Sequence, residues 1–333
     1  MRRGQFALAL TAGILAFGAP LAAFSQAQDY AKDYPSKNVT IVVPFAPGGS
    51  TDMLARMFGQ RLEQRWGKPF VIENKPGGAS LVGASLVAKA TPDGHTLLMA
   101  PSGTMSVNVT LYKSLPYDPV ADLIPLVLAA QTPFVLIVNP SLPVHSVADL
   151  VKYAKAQSSP ISFATVGPGL PHHLFAELFK SMTGIAINYV PYRGSLPALN
   201  DVVAGHVPAM FVDLGPAVGL LRADKVRPLG VSPKSRVAAF PNIPTIAESG
   251  LPDFDAASWQ MLVAPAKTPR PIVEKLHGEL KSILALPEIK DQIVGGGMVP
   301  IDNPSVEGLQ AFVKSEIARW GKVVRDAGIA GSQ

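Results

Sequence analysis

Five times along this chain an apolar run ends in a glycine-containing turn, and helical spacing begins just beyond it. The turns are Gly48-Gly49-Ser50, Gly77-Gly78-Ala79-Ser80, Ser102-Gly103-Thr104, Gly167-Pro168-Gly169 and Gly194-Ser195. This alternation restricts the fold more than any other feature. Strand, turn and helix in succession require crossover connections, and right-handed crossovers build parallel sheets with helices on their faces. In such sheets the turns gather at the carboxyl ends of the strands, where ligands bind. Each helix start there offers unpaired backbone N–H groups and a positive dipole end. Glycine lets a ligand come close to that backbone. Two of the turns carry the same Pro-Gly-Gly, at Pro47–Gly49 and Pro76–Gly78. The pattern points to an anion site made of amides rather than of Lys or Arg.

The chain has 333 residues, 48% hydrophobic and 16% charged, enough for two domains with large cores. The sequence divides into 28–130 with 235–300, and 131–234. Crossings fall near Leu126–Pro133 and Leu229–Arg236, and 301–333 form a final helix packed across both domains. Residues 1–27 read as a secretory signal peptide: Arg2 and Arg3, an apolar stretch, then small residues ending at Ala27. Residue 27 is not Cys, so no lipid anchor is indicated. Cleavage leaves the formal charge at about +3, down from +5. No Lys/Arg run is interleaved with aromatics, so nucleic acid is not an expected partner. The absence of cysteine excludes thiolate metal sites and Cys nucleophiles.

Catalytic patterns are sparse. There is no Gly-x-Ser-x-Gly elbow, Walker loop, dinucleotide fingerprint or His-Glu-x-x-His. His172, His173 and Glu177 could sit on one helix, but no further ligand lies at metal spacing, so neither metal nor cofactor is expected. Asp52 and Asp213 could serve a periplasmic hydrolase as bases. The plainer reading of Asp52 is a first-turn acid that complements the helix dipole. Asp213 ends a strand, where it could order a loop or a water.

Those same residues carry a family resemblance. "VVPFAPGGSTDMLAR" resembles the first signature of the Bug receptors, the periplasmic solute-binding proteins of tripartite tricarboxylate transporters. "ENKPGGASLVGASLVAKATPDGHTLL", "VPYRGSLPALNDVVAGHVPAMF" and "RPLGVSPKSRVAAFPNIPTIAESG" resemble later blocks in order. The resemblance spans the chain after the leader. It implies an α/β, two-domain periplasmic-binding-protein fold, a hinged clamp in which each domain is a mostly parallel sheet flanked by helices. It also implies a monomeric, non-enzymatic receptor in the periplasm that hands a small carboxylate to membrane permease subunits. A ligand sensor for a two-component system is the alternative.

Carried onto this chain, the first loop is Phe45, Ala46, Pro47, Gly48, Gly49, Ser50, Thr51 and Asp52. The second is Gly77, Gly78, Ala79 and Ser80. Ser102, Thr104 and Met105 line the same mouth, and Gly167, Gly169, Leu170 and Asp213 come from the second domain. Leu170 and Met105 stand where relatives often have a hydroxyl and a histidine. That favours a less polar ligand, an aromatic acid or a longer dicarboxylate. Alternatively, both side chains pack into the core and say nothing about ligand.

Overall fold

The computed structural model describes residues 31–333, so the signal-peptide expectation for 1–27 lies outside them. Of nine strands, eight follow one path, β2-β1-β3-β9-β4-β7-β5-β6, and β8 lies off it, paired to β4. In the first unit β1 (Val39–Val43), β2 (Phe70–Asn74) and β3 (Thr96–Pro101) run parallel. In the second unit β5 (Ile161–Thr165) runs parallel to β6 (Ile187–Pro191) and β7 (Ala209–Asp213). The centre differs from the mostly parallel expectation. There β4 (Leu123–Val138) and β9 (Ala257–Pro265) are antiparallel to each other and to their neighbours, so the sheet is mixed.

The elements follow from burial. Val39, Ile41, Val42 and Val43 are all buried, as a strand covered on both faces requires. Helix α1 (Ser50–Trp66) buries Leu54, Phe58 and Leu62, spaced by four, against that sheet. Helix α2 (Leu81–Ala88) covers the other face through Ala84 and Val87. Around the second sheet lie α4 (Val147–Ala156), α5 (Pro171–Thr183), α6 (Ser195–Ala204) and α7 (Leu214–Arg222), and α3 (Asn108–Leu111) is a short element after β3. Sequence reasoning missed α7, because Gly215, Pro216 and Gly219 look like breakers. Pro216 falls in the first turn, where its missing N–H has no helical partner to lose.

Strand β4 belongs to both units. Its first part, Leu123–Pro133, pairs with β9, and Phe134–Val138 pairs with β7. Strand β8 (Arg227–Val231) lies on its other side. The chain returns to the first unit at Ala256–Ala257, not at Leu229–Arg236. Residues 235–256 stay with the second unit, where Ile246, Phe254 and Ala256 join its core and Val231 bridges Thr245. Their proline-rich composition reads as a linker, but composition does not reveal where an isolated Ile or Phe buries. Ser232, fully buried, ties the two crossing strands. Its backbone N–H donates to Phe134 O, and its hydroxyl accepts from Phe134 N–H and donates to Ala256 O.

Helices α8 (Arg270–Leu284) and α9 (Pro287–Gly295) complete the first unit, and α10 (Val306–Asp326) spans both. It contributes Leu309 and Val313 to a first-unit cluster, and Trp320 and Val324 to the second. Between them sits Glu316, a buried carboxylate that accepts from Trp259 Nε1 on β9 at 2.9 Å and Trp320 Nε1 at 3.0 Å. Truncating it would strand two buried indole donors, each costing about 1–3 kcal/mol. Glu316→Ala is therefore expected to lose roughly 2–5 kcal/mol in urea denaturation, and a loss below 1 kcal/mol would contradict this role.

Candidate functional site

The carboxyl ends of β1, β3, β5 and β7 converge on one cleft of about 260 Å³. One wall is Phe45, Ala46, Gly49, Ser50, Thr51, Asp52, Ser80 and Ser102. The facing wall includes Gly169, Leu170 and Asp213. Pro47, Gly48, Gly77, Gly78, Thr104, Met105 and Gly167 do not line it; several support the residues that do. Thr104 is fully buried and meets Ser80 Oγ at 2.5 Å, which holds Ser80 in a left-handed conformation at φ 83°. Gly78, at φ 53°, makes the turn before it, a conformation that suits glycine. Met105 is fully buried beside Leu98, Trp259 and Met261, so the second alternative, core packing, describes its position. Leu170 lies on the cleft wall.

Asp52 has a different role from complementing a dipole alone. Its carboxylate accepts from Gly48 N–H at 3.0 Å, from Arg56 Nε at 2.9 Å and Nη2 at 3.0 Å, and from Asn74 Nδ2 at 3.0 Å. Burial alone would raise this carboxyl, but those bonds and the Arg56 charge hold it below the usual range. Four donors occupy it, so it is no candidate general base. Gly48 spends its N–H on Asp52, whereas those of Gly49, Ser50 and Thr51 have no partner among the described residues. These three amides at the start of α1 are what the first turn presents to an anion.

Across the cleft, Asp213 Oδ1 accepts from Ser195 Oγ at 2.9 Å and His172 Nε2 at 3.3 Å, and those two lie 2.9 Å apart. Desolvation pushes the Asp213 carboxyl up, but the hydrogen bonds from His172 and Ser195 bring it below its ordinary value. The trio is not a hydrolase relay. In that relay the acid holds one imidazole nitrogen and the serine uses the other. Here both use Nε2, and Ser195 donates to Asp213 rather than to a base. His173 supports the same wall elsewhere: Nδ1 accepts from Gly169 N–H at 3.3 Å, and Nε2 lies 3.8 Å from Glu177. No group of three or more metal-ligating side chains forms among the described residues.

Sequence reasoning missed much of the floor. Thr132 and Phe134 come from β4, Ser258 and Gln260 from β9, and Trp320 from α10. Ser102 Oγ meets Ser258 Oγ at 3.1 Å, and Thr132 meets Gln260 at 3.2–3.3 Å, which satisfies these buried polar groups internally. Apolar surface lies deeper: the Phe134 and Phe175 rings sit 4.9 Å apart, and Phe175 stacks on Trp320 at 5.5 Å. Only the helix-start pattern pointed to Ser195, and His172 drew notice only within a metal pattern that the sequence reading set aside.

The family model described as "Tripartite tricarboxylate transporter family receptor" matches residues 54–329. The chain belongs to that family. Protein BugT of Bordetella pertussis is 34% identical to this receptor over 299 residues, covering 90% of this chain and 91% of BugT. Among solved structures, R. palustris Rpa4515 with adipate is 40% identical, with a TM-score of 0.80, covering 90% of this receptor and 99% of that chain. MatC (Rpa3494) from Rhodopseudomonas palustris with bound malate is 32% identical, with a TM-score of 0.75, covering 87% and 100%. The receptor family is not one of enzymes, in keeping with the inert geometry at Asp52 and Asp213.

The depressed carboxyl of Asp213 sets a pH signature. A carboxyl lower in the folded than the unfolded state contributes stability above about pH 4, lost as pH falls through the folded value. Urea denaturation from pH 6 to pH 3 should show a shallower acid loss in Asp213→Asn than in the wild type. Equal slopes would mean that Asp213 makes no such contribution.

Proposed function

We propose that this receptor works in the periplasm, captures a small carboxylate with an extended apolar body, and delivers it to the permease of a tripartite transporter. A medium-length aliphatic dicarboxylate, of the kind named for Rpa4515, fits best. The observation that carries this reading is the pairing of a free amide turn at Gly49–Thr51 with an aromatic floor in one cleft. The carboxylate docks on the amides, each charge-assisted hydrogen bond contributing about 1.5–3 kcal/mol. The ligand body lies against Phe134, Leu170 and Trp320. Closure follows because only a closed cleft lets the ligand touch both units. Among the described residues no helix is long and apolar enough to cross a membrane, which agrees with a role delivering to separate membrane subunits. Nothing in the proposed capture requires a second copy of the chain, so a monomer suffices.

Two measurements test it. Each methylene moved from water onto the floor is worth about 0.8 kcal/mol, so succinate, two methylenes shorter than adipate, should bind about fifteen-fold more weakly. Calorimetry showing equal affinities would defeat the apolar-body reading, and ligand turnover in the same samples would defeat capture without chemistry. The amide turn is tested by Ser50→Pro. Ser50 opens α1 and Gly49 before it is extended at φ −85° and ψ 174°, a setting that accepts proline. The change removes one N–H and no helical bond. Adipate affinity should fall about tenfold relative to Ser50→Ala, while the melting temperature stays close; unchanged affinity would remove the amides from the site.

A further inference from the structure

Among the described residues that line the cleft, none is a lysine or arginine. Asp52 is neutralised by Arg56, so Asp213 is the acid not matched by a permanent cation. His172 is the lining side chain that can acquire positive charge. Its ring is over nine-tenths buried, edge-on to Phe134 at 5.0 Å. Nε2 faces Asp213 at the end of β7 and Ser195 at the start of α6, while Nδ1 is buried with no partner. On its own helix, His173 turns instead towards Glu177 and Tyr189. Asp213 is thus the charged group in contact with His172; Ser195 and Phe134 are neutral.

This arrangement bears on a ligand with two carboxylates. One end rests on the amides of α1. The other then approaches Asp213, and two like charges in a buried site repel strongly. We propose that His172 is the specificity-determining residue for the second carboxylate, and that it takes up a proton when a dicarboxylate binds. This rests on the carboxylate-receptor reading above. A neutral imidazole with its hydrogen on Nε2, towards Asp213, leaves Nδ1 an acceptor that cannot greet an anion. Protonation makes Nδ1 a donor, neutralises Asp213, and gives the incoming carboxylate a cation. The proton goes to the imidazole because Asp213 is held ionised by the bonds it already accepts. A monocarboxylate with a methyl end has no such requirement, so the device separates dicarboxylates from monocarboxylates of equal length.

The test compares adipate with hexanoate on the wild-type protein, by calorimetry in phosphate and Tris at pH 7.0–8.5, where ligand carboxyls stay ionised. Adipate binding is expected to take up as much as one proton and to weaken by up to tenfold per pH unit, with hexanoate flat. His172→Gln keeps hydrogen bonding to Asp213 but cannot be charged, and should abolish both the uptake and the adipate slope. A merely structural His172 would leave proton uptake in place. If that variant does not fold, the wild-type imidazole resonance of His172 decides, and should move to the protonated position with adipate but not hexanoate. Adipate binding without proton uptake, or uptake that survives His172→Gln, overturns this inference alone. Failure of both acids to bind overturns the carboxylate-receptor reading with it.

Discussion

The cleft depends on one strand running unbroken through both units. Over its 16 residues β4 pairs first with β9, then with β7 and β8, so the two sheets share a backbone ladder. Where the partners change, Ser232 bonds to both crossing strands, at Phe134 and Ala256. Because the crossing is paired backbone rather than a loose linker, the carboxyl ends of β1 and β3 face those of β5 and β7. A clamp needs two walls held at a defined spacing, and the β4–β9 ladder with Ser232 bonded at its end supplies that frame.

On that frame the two walls divide their chemistry. The first supplies amides with permanent partial charge, held in shape by Asp52 and Asn74, with the Asp52 charge neutralised by Arg56. Rigid donors lose little entropy on binding and need no counter-ion. The second wall supplies Asp213, Ser195 and His172, a set whose net charge can change. Under the proposed function, fixed donors at one end would hold a carboxylate head and the titratable pair at the other would read what lies at the tail. Between them, Phe134, Phe175 and Trp320 provide apolar surface, and Glu316 holds Trp320 from behind.

Parts of this were legible in the sequence because they are local. The turn at Gly48–Ser50 is written as glycine, glycine and a small polar residue after a valine run, and those residue types fix the backbone without outside help. Asp52 was visible as a first-turn acid, but its bond to Asn74 was not, because Asn74 lies 22 residues away and joins it only through β1–β2 pairing. Met105 is the opposite case: position near the mouth suggested the pocket, while packing under β9 placed it in the core.

The sequence by itself determined the alternation of strand and helix, the gathering of glycine turns at one end of the sheets, and loops there without Lys or Arg. These rest on backbone preferences that act over a few residues. Only the tertiary structure decided that β4 runs through both units antiparallel to β9 and β7, that 235–256 stays with the second unit, and that Thr132, Gln260 and Trp320 floor the cleft. It also decided that His172 faces Asp213. Those outcomes depend on which distant side chains are buried together, and burial is a property of the packed whole.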